Sequence, residues 1–148
     1  MPEYLEFQVD KFTFRVATDR YYNETGVWTK WEGLHVFIGI SDYLQQRSGD
    51  VAFAEIKPSG TEVNYGEEVA TIETIKVNIS LPSPVSGRVI SANPKTVTAP
   101  EIINQDPYGD GWLAMISVMD FPVQMKQLLD ARSYYEKIKL EAEQEARK

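Results

Sequence analysis

Turn signals cut the chain every few residues between positions 51 and 92: Pro58-Ser59-Gly60, Asn64-Tyr65-Gly66, Pro82-Ser83-Pro84 and Ser86-Gly87. The stretches between them, 51–56, 61–63, 68–73, 77–81 and 88–92, are short and carry Val and Ile. β-Branched runs of this size, bounded by Gly, Pro and Asn, read as strands. That spacing predicts a small all-β barrel or sandwich. A weak internal symmetry adds a detail. Positions 60–73 and 83–96 each hold a Gly-bearing turn followed by a Val/Ile strand. Two similar half-sheets joined at Ile75-Lys76 place Lys76 at a hairpin tip.

The flanks are read the same way. In Phe12-Thr13-Phe14-Arg15-Val16 the apolar residues alternate, as in a half-buried strand. Tyr21 to Gly26 reads as a turn. Runs 27–31 and 34–40 are expected to pair as a hairpin through Glu32-Gly33. Ser41 is placed to cap a short helix over 42–47 that Gly49 ends. Thr98-x-x-Glu101 has capping-box spacing, with Pro100 in the first turn of a short helix. Segment 106–111 is a turn whose glycines are expected at positive φ, and 112–118 is the last strand. Asp120 is placed to cap a helix with Pro122 near its start, on which Phe121, Met125, Leu128 and Leu129 recur at helical spacing. Ser133-x-x-Glu136 suggests a second cap and a bend, and 137–148 a helix with a solvated outer face. The expected organisation is a single domain over 1–148: a β segment 1–37, a core 38–118 and helices 119–148.

Composition removes several kinds of chemistry. The 148 residues are 43% hydrophobic, enough for one sizeable core. There is no cysteine and one histidine, His35, which excludes a Cys/His zinc site and a structural disulfide. His35 lies in an apolar strand and reads as a structural residue. Trp28, Trp31 and Trp112 read as filling the core or its edge. No cluster of nucleophile, acid and base stands out, so the chain is not expected to be an enzyme on its own. A net charge of -7 disfavours nucleic-acid binding, which needs clustered Lys and Arg. No apolar run is long enough to span a bilayer, and the acidic start lacks signal-peptide order. A cytoplasmic or organelle-matrix location and a monomeric state are the expectations.

Any redox or transfer chemistry must therefore arrive on an attached group. A carrier needs one lysine at an exposed, rigid tip, where a modifying enzyme can reach the amine and read the shape of the turn. Glu73-Thr74-Ile75-Lys76-Val77 fits, and Lys76 is the only basic residue between Lys57 and Arg88. An exposed lysine in a turn is ordinary by itself. The surrounding blocks are not. I-G-I-S-D-Y-L-Q at 38–45, G-D-V-A-F-A-E-I at 49–56, G-T-E-V at 60–63 and G-E-E-V-A-T-I-E-T-I-K at 66–76 follow one another in order. S-P-V-S-G-R-V-I at 83–90, P-E-I-I-N at 100–104 and D-P-Y-G-D-G-W-L at 106–113 complete the series.

In order and spacing these blocks resemble the glycine cleavage system H protein family of lipoyl carriers, over about half of the chain. The resemblance implies a mainly β fold: a barrel-sandwich hybrid with short flanking helices and a C-terminal helical segment. It implies covalent lipoic acid on Lys76, with Glu73 recognised by the lipoylating enzyme. It implies a lipoate–protein ligase or lipoyl transferase and dihydrolipoamide dehydrogenase as partners. Biotin carriers resemble a Met-Lys-Met tip, and Ile75 and Val77 stand there instead. The 2-oxo acid dehydrogenase lipoyl domains share the tip but lack the P-E-x-x-N and D-P-Y-G-x-G-W blocks.

Two departures bear on the cargo. The family typically carries His-Glu-Trp near its N-terminus, and aligning on Trp28 puts Gly26 in place of that His. The tip reads E-T-I-K-V-N-I-S, where the family usually shows E-S-V-K-A-A-S-D. These departures lead to the expectation of a specialised H-like protein. The nearest resemblance is to the lipoate-binding proteins of sulfur oxidation, which work with a heterodisulfide-reductase-like complex. A carrier serving the glycine cleavage P and T proteins is the alternative, and an unmodified interaction domain the third reading.

Overall fold

In the computed structural model, which describes residues 3–148, the chain opens with a hairpin of β1 (Tyr4–Val9) and β2 (Phe12–Ala17). Its register pairs Phe7 with Phe14. The alternation read in β2 decides its faces: Phe14 and Val16 are buried, while Phe12 stays 47% exposed. The next strands are β3 (Tyr21–Tyr22), β4 (Val27–Glu32) and β5 (His35–Ile40). β4 and β5 form the hairpin expected of 27–40, with Val27 opposite Ile40. The turn expected of 21–26 is shorter. Tyr21 and Tyr22 pair with Thr29 and Trp28, and the reversal falls on Asn23 to Gly26, where the Asn23 carboxamide oxygen accepts from the amides of Gly26 and Val27.

Helix α1 (Asp42–Ser48) starts where the Ser41 hydroxyl accepts from the Leu44 amide and ends at Gly49, φ 88°. The turn-bounded runs follow as β6 (Val51–Ile56), β7 (Glu62–Val63), β8 (Glu68–Thr74), β9 (Asn78–Pro82) and β10 (Gly87–Ala92). Two single-turn helices, α2 (Lys95–Thr98) and α3 (Ile102–Gln105), lead to β11 (Ala114–Ser117). The chain closes with α4 (Phe121–Gln124) and α5 (Ala131–Ala146).

The strands form a six-stranded sheet in the order β3-β4-β5-β11-β10-β7, a three-stranded sheet in the order β6-β8-β9, and the separate β1-β2 hairpin. Val36, Ile38, Ile40, Val69, Ile72, Leu81, Val89, Leu113 and Ile116 pack as one core shared by the two larger sheets. A second cluster joins the two ends of the chain: Phe7, Phe14, Val16, Tyr22 and Trp28 pack with Tyr134, Ile138 and Ala142 of α5. Tyr22 and Tyr134 stack in parallel with ring centroids 4.3 Å apart. Each fully buried aromatic hydroxyl has a partner: Tyr22 donates to Ala17 O at 2.7 Å, and Tyr134 meets Ser41 Oγ at 2.7 Å. Burial pushes both phenols well above their ordinary pKa. Trp31 takes an edge position, half exposed beside Phe121.

Several sequence-based expectations give way to tertiary structure. Thr98 opens no capping box: it closes α2, and α3 starts at Glu101 without a side-chain cap. Gly109 and Gly111 are not at positive φ. A Cβ on Gly109 would collide with the Asp106 carboxylate, and one on Gly111 would lie 2.7 Å from Asp106 O. Close approach therefore requires these glycines, not turn conformation. Asp120 does cap a helix, but only one turn of α-helix and a 3-10 turn follow, and Leu128 is extended. Leu129 instead exchanges backbone hydrogen bonds with Tyr22 at 2.8 Å, so sheet pairing outweighs the helical spacing. The last helix is capped by Asp130, whose side chain accepts from the Ser133 amide at 2.8 Å. Ser133 lies in the first turn and is not the cap. The outer strand ends are trimmed too, since Val77 belongs to a turn and Trp112 and Leu113 precede β11.

Candidate functional site

β8 and β9 form an antiparallel hairpin whose last pair is Glu73 with Asn78. Thr74 to Val77 close the tip. The Thr74 amide donates to Val77 O at 2.8 Å. The Thr74 hydroxyl accepts from the amides of Lys76 at 3.1 Å and Val77 at 3.0 Å, and donates to Val77 O at 3.1 Å. One side chain thus binds two amides and one carbonyl of the turn and fixes its backbone from within the hairpin. Threonine two residues before the lysine was visible in the sequence, but its role was not read there.

Lys76 is exposed at this tip, and Glu73 is exposed three residues before it. Neither side chain joins an ion pair among the described residues. Apolar side chains flank the lysine: Ile75 is 82% exposed, and Val77 and Phe53 also stand in solvent. Phe53 belongs to β6 and faces Glu73 in the ladder. An apolar rim around a single reachable amine is a surface that a partner can read by shape.

The lysine stem has a prepared seat. Its Cδ lies 3.2 Å and its Cγ 3.7 Å from where a Cβ on Gly49 would be, and Gly49 has φ 88°. Gly49 is held in turn by Asn104, which donates to Gly49 O at 3.0 Å and to Gln45 Oε1 at 3.1 Å, and accepts from the Val51 amide at 2.9 Å. The P-E-I-I-N and G-D-V blocks therefore meet behind the tip. Two cavities flank α1. One of about 310 Å³ includes Lys76. The other, about 450 Å³, lies among Thr25, Leu44, Tyr134 and Glu141 and does not reach the lysine.

The remaining singled-out residues are placed plainly. His35 is half-buried in β5, paired with Glu32 and Ser117. The 106–111 loop is tied to the N-terminal region: Trp28 Nε1 donates to Pro107 O at 3.0 Å, and Tyr108 donates to Arg15 O at 2.8 Å. Burial pushes the Tyr108 phenol up to about 12. Arg20 is buried between these rings, 4.3 Å from the Trp28 centroid and 5.2 Å from that of Tyr108. Among the described residues, no group of His, Cys, Asp and Glu has metal-site geometry, and no helix is long and apolar enough to cross a membrane.

The glycine cleavage H-protein family model matches residues 20–141. The glycine cleavage system H protein of Thermus thermophilus is 38% identical over 127 residues, covering 86% of this chain and 98% of that protein. The probable glycine cleavage system H protein of Aeropyrum pernix is 35% identical over 135 residues, covering 91% and 94%. The crystal structure of a glycine cleavage system H protein from Mycobacterium marinum superposes with a TM-score of 0.72 at 27% identity, covering 82% of this chain and 98% of that one. The barrel-sandwich hybrid and the helical end implied by the motifs are thus found in a solved relative. The chain belongs to the glycine cleavage H-protein family, whose members are non-catalytic lipoyl carriers.

Proposed function

We propose that the chain carries a lipoyl group in amide linkage to Nζ of Lys76, with residues 38–118 as the carrier core. The observation that carries this reading is the Lys76 tip itself. An exposed amine stands on a turn fixed by the Thr74 hydroxyl, over a glycine seat that a Cβ would fill. Glu73 is the acidic mark that the lipoate–protein ligase or lipoyl transferase reads. When bound, the group supplies reversible thiol–disulfide chemistry. The protein supplies the rest. β8 and β9 hold the attachment point at the end of a stiff ladder, Gly49 and Asn104 orient the stem, and Phe53, Ile75 and Val77 meet the partner. Tethering makes successive active sites neighbours at high effective concentration. Intact-mass measurement after co-expression with a lipoate ligase tests the assignment: a lipoyl increment that maps to Lys76 and vanishes in Lys76→Ala is expected.

The names of the relatives support glycine cleavage as the pathway. The cargo is then derived from glycine, passes between the P and T proteins, and leaves an arm that dihydrolipoamide dehydrogenase reoxidises. One observation favours a sulfur cargo and a heterodisulfide-reductase-like partner as a second reading. Where the family typically has His-Glu before tryptophan, this chain has Gly26 and buried Val27. A Cβ on Gly26 would lie 2.8 Å from Tyr134 Oη and 3.1 Å from Ser41 Oγ. No imidazole can stand at Gly26, so the family's His has no counterpart at this position. Lipoylated protein assayed with P, T and L partners decides between them: normal glycine decarboxylation rates rule the sulfur reading out, and loss of turnover with an intact arm favours it.

A further inference from the structure

The six-stranded sheet ends in an apolar surface at the pole away from the Lys76 tip. Strand directions place it there. β8 and β9 run from the tip at Glu73 and Asn78 back to Glu68 and Pro82, and β8 alone spans roughly 20 Å at ~3.4 Å per residue. Just past Pro82, Ser86 exchanges hydrogen bonds of 2.7 and 3.0 Å with the Gln124 side chain of α4. The β4–β5 turn meets α4 at the same pole: the Val118 amide donates to Leu34 O at 3.1 Å, and the Trp31 ring lies 5.5 Å from that of Phe121. β5 likewise starts here at His35 and ends at Ile40, which leads through α1 to the Gly49 seat.

Four apolar side chains stand in solvent on this pole. Met119 is 94% exposed, Leu34 76%, Val123 56% and Trp31 50%. Such a patch falls in the ~300–600 Å² range of the largest on a typical monomer. A standard stable complex buries ~800 Å² per partner. The patch is too small for a permanent interface and large enough for a reversible one.

The charges around it have both signs and are unpaired. Glu32, Asp120 and Lys126 are exposed, and Lys30, next to Trp31 in β4, is half-buried. None joins an ion pair among the described residues. Two acidic and two basic groups cancel here, so the net charge of -7 lies elsewhere on the chain. Two copies therefore repel least through this pole. A two-fold axis through the patch can bring Lys126 of one copy toward the acidic groups of the other.

We propose that this pole is a self-association surface, through which two copies of the chain meet back to back on Trp31, Leu34, Met119 and Val123 in a reversible two-fold dimer. The same patch serves on both copies, so the contact closes at two. The Lys76 tips then stand at opposite ends of the pair, and neither is covered. A partner with two docking sites gains the effective concentration of the second tip. The monomeric state expected of the sequence is the dilute limit of this equilibrium.

Sedimentation equilibrium on the full-length chain, unmodified and lipoylated on Lys76, tests the assignment. The weight-average mass is expected to rise from that of one chain toward that of two between roughly 1 μM and 1 mM, the span of weak affinities, and to stop at two. The lipoyl group should make no difference. Leu34→Glu and Met119→Asp each place an unpaired carboxylate in the contact twice and should weaken association by about ten-fold or more. Both positions are exposed, so the fold should be kept. Leu140→Glu, the same change at an exposed position of α5, should leave association unaltered. A chain that stays monomeric up to about 1 mM overturns the proposal and leaves the patch to a different protein. Growth beyond two, or a dimer indifferent to Leu34→Glu and Met119→Asp, overturns it as well. None of these outcomes touches the carrier reading, which the intact-mass measurement tests.

Discussion

The hydroxyl of Thr74 accepts the backbone amide of Lys76 at 3.1 Å, so the conformation of the lysine is set by the side chain two residues before it. Thr74→Val keeps the shape and removes the clamp. Folding stability is expected to fall by about 1 kcal/mol, the net value of a hydrogen bond at an exposed site. The rate of lipoylation by a purified ligase should fall more, because the enzyme must then order the turn itself. Thr74→Ser should restore both. Equal lipoylation rates in all three proteins would show that the clamp does not matter for recognition.

Gly49→Ala places a methyl group at φ 88° and 3.2 Å from Lys76 Cδ. At φ 88° and ψ -172° the backbone lies in a region open essentially to glycine alone, and holding a residue with a Cβ there costs roughly 1–3 kcal/mol. A urea midpoint lowered by that free energy divided by the m-value is expected, with an altered resonance environment at Lys76. An unchanged midpoint would mean that the α1–β6 turn relaxes without cost.

Asn104→Ala removes three hydrogen bonds that join α3 to the end of α1 and the start of β6. The Val51 amide and Gly49 carbonyl lose their partner. An unsatisfied buried group costs about 1–3 kcal/mol, and a loss in that range is expected in chemical denaturation. Amide exchange should accelerate at Gly49 and Val51 before it does in β10 or β11.

Alkaline pH should weaken the cluster that joins the chain ends. Tyr22, Tyr108 and Tyr134 have phenols raised above 10 chiefly by burial. The unfolded chain releases these protons near pH 10 while the folded chain keeps them. Stability is therefore full below pH 10 and lost as pH rises from there toward and beyond 12. Tyr134→Phe, which also breaks the contact with Ser41, should flatten that decline in a series of denaturation curves. A slope identical to the parent protein would refute the assignment.

Asp130→Ala should destabilise α5 by about 1 kcal/mol through loss of its N-cap, and Ser133→Ala by less, since the amide of residue 133 still donates to Asp130. Hydrogen bonds from the backbone and then the side chain of Ser133 also hold the Asp130 carboxyl below its ordinary pKa. The cap's contribution is present above pH 3.8 and fades as pH falls below it. Helix content followed by circular dichroism in the two variants checks the order.

What the sequence discloses follows the range of the forces involved. The strands from 51 to 92, the Ser41 cap and the Lys76 tip are set by neighbours in the chain, and their turn residues are legible in order. The spacing at Thr98, Ser133 and Leu128 matches local rules that the fold does not follow: Asp130, a nearby competitor, caps the last helix in place of Ser133, and distant pairing with Tyr22 holds Leu129 in extended chain. The glycines at 109 and 111 were assigned the right rarity and the wrong cause. At the site, Lys76 and Glu73 are visible as residues, but the Thr74 clamp, the Gly49 seat and the Asn104 brace depend on three segments folding against one another.

The cluster that unites the two ends of the chain has a consequence for biosynthesis. Tyr135 of α5 donates to Glu6 O across 129 residues, and Phe7 packs against the same ring at 5.5 Å. On the ribosome the N-terminal hairpin emerges first; Tyr43 and Tyr108 can cover part of its apolar face, and the part around Phe7 stays open until the last helix is released. The sandwich around Ile38 and Ile116 can close earlier. A nascent chain stalled before α5 should therefore hold the Lys76 tip in place while its own beginning is still exposed, a species open both to early modification and to capture by chaperones.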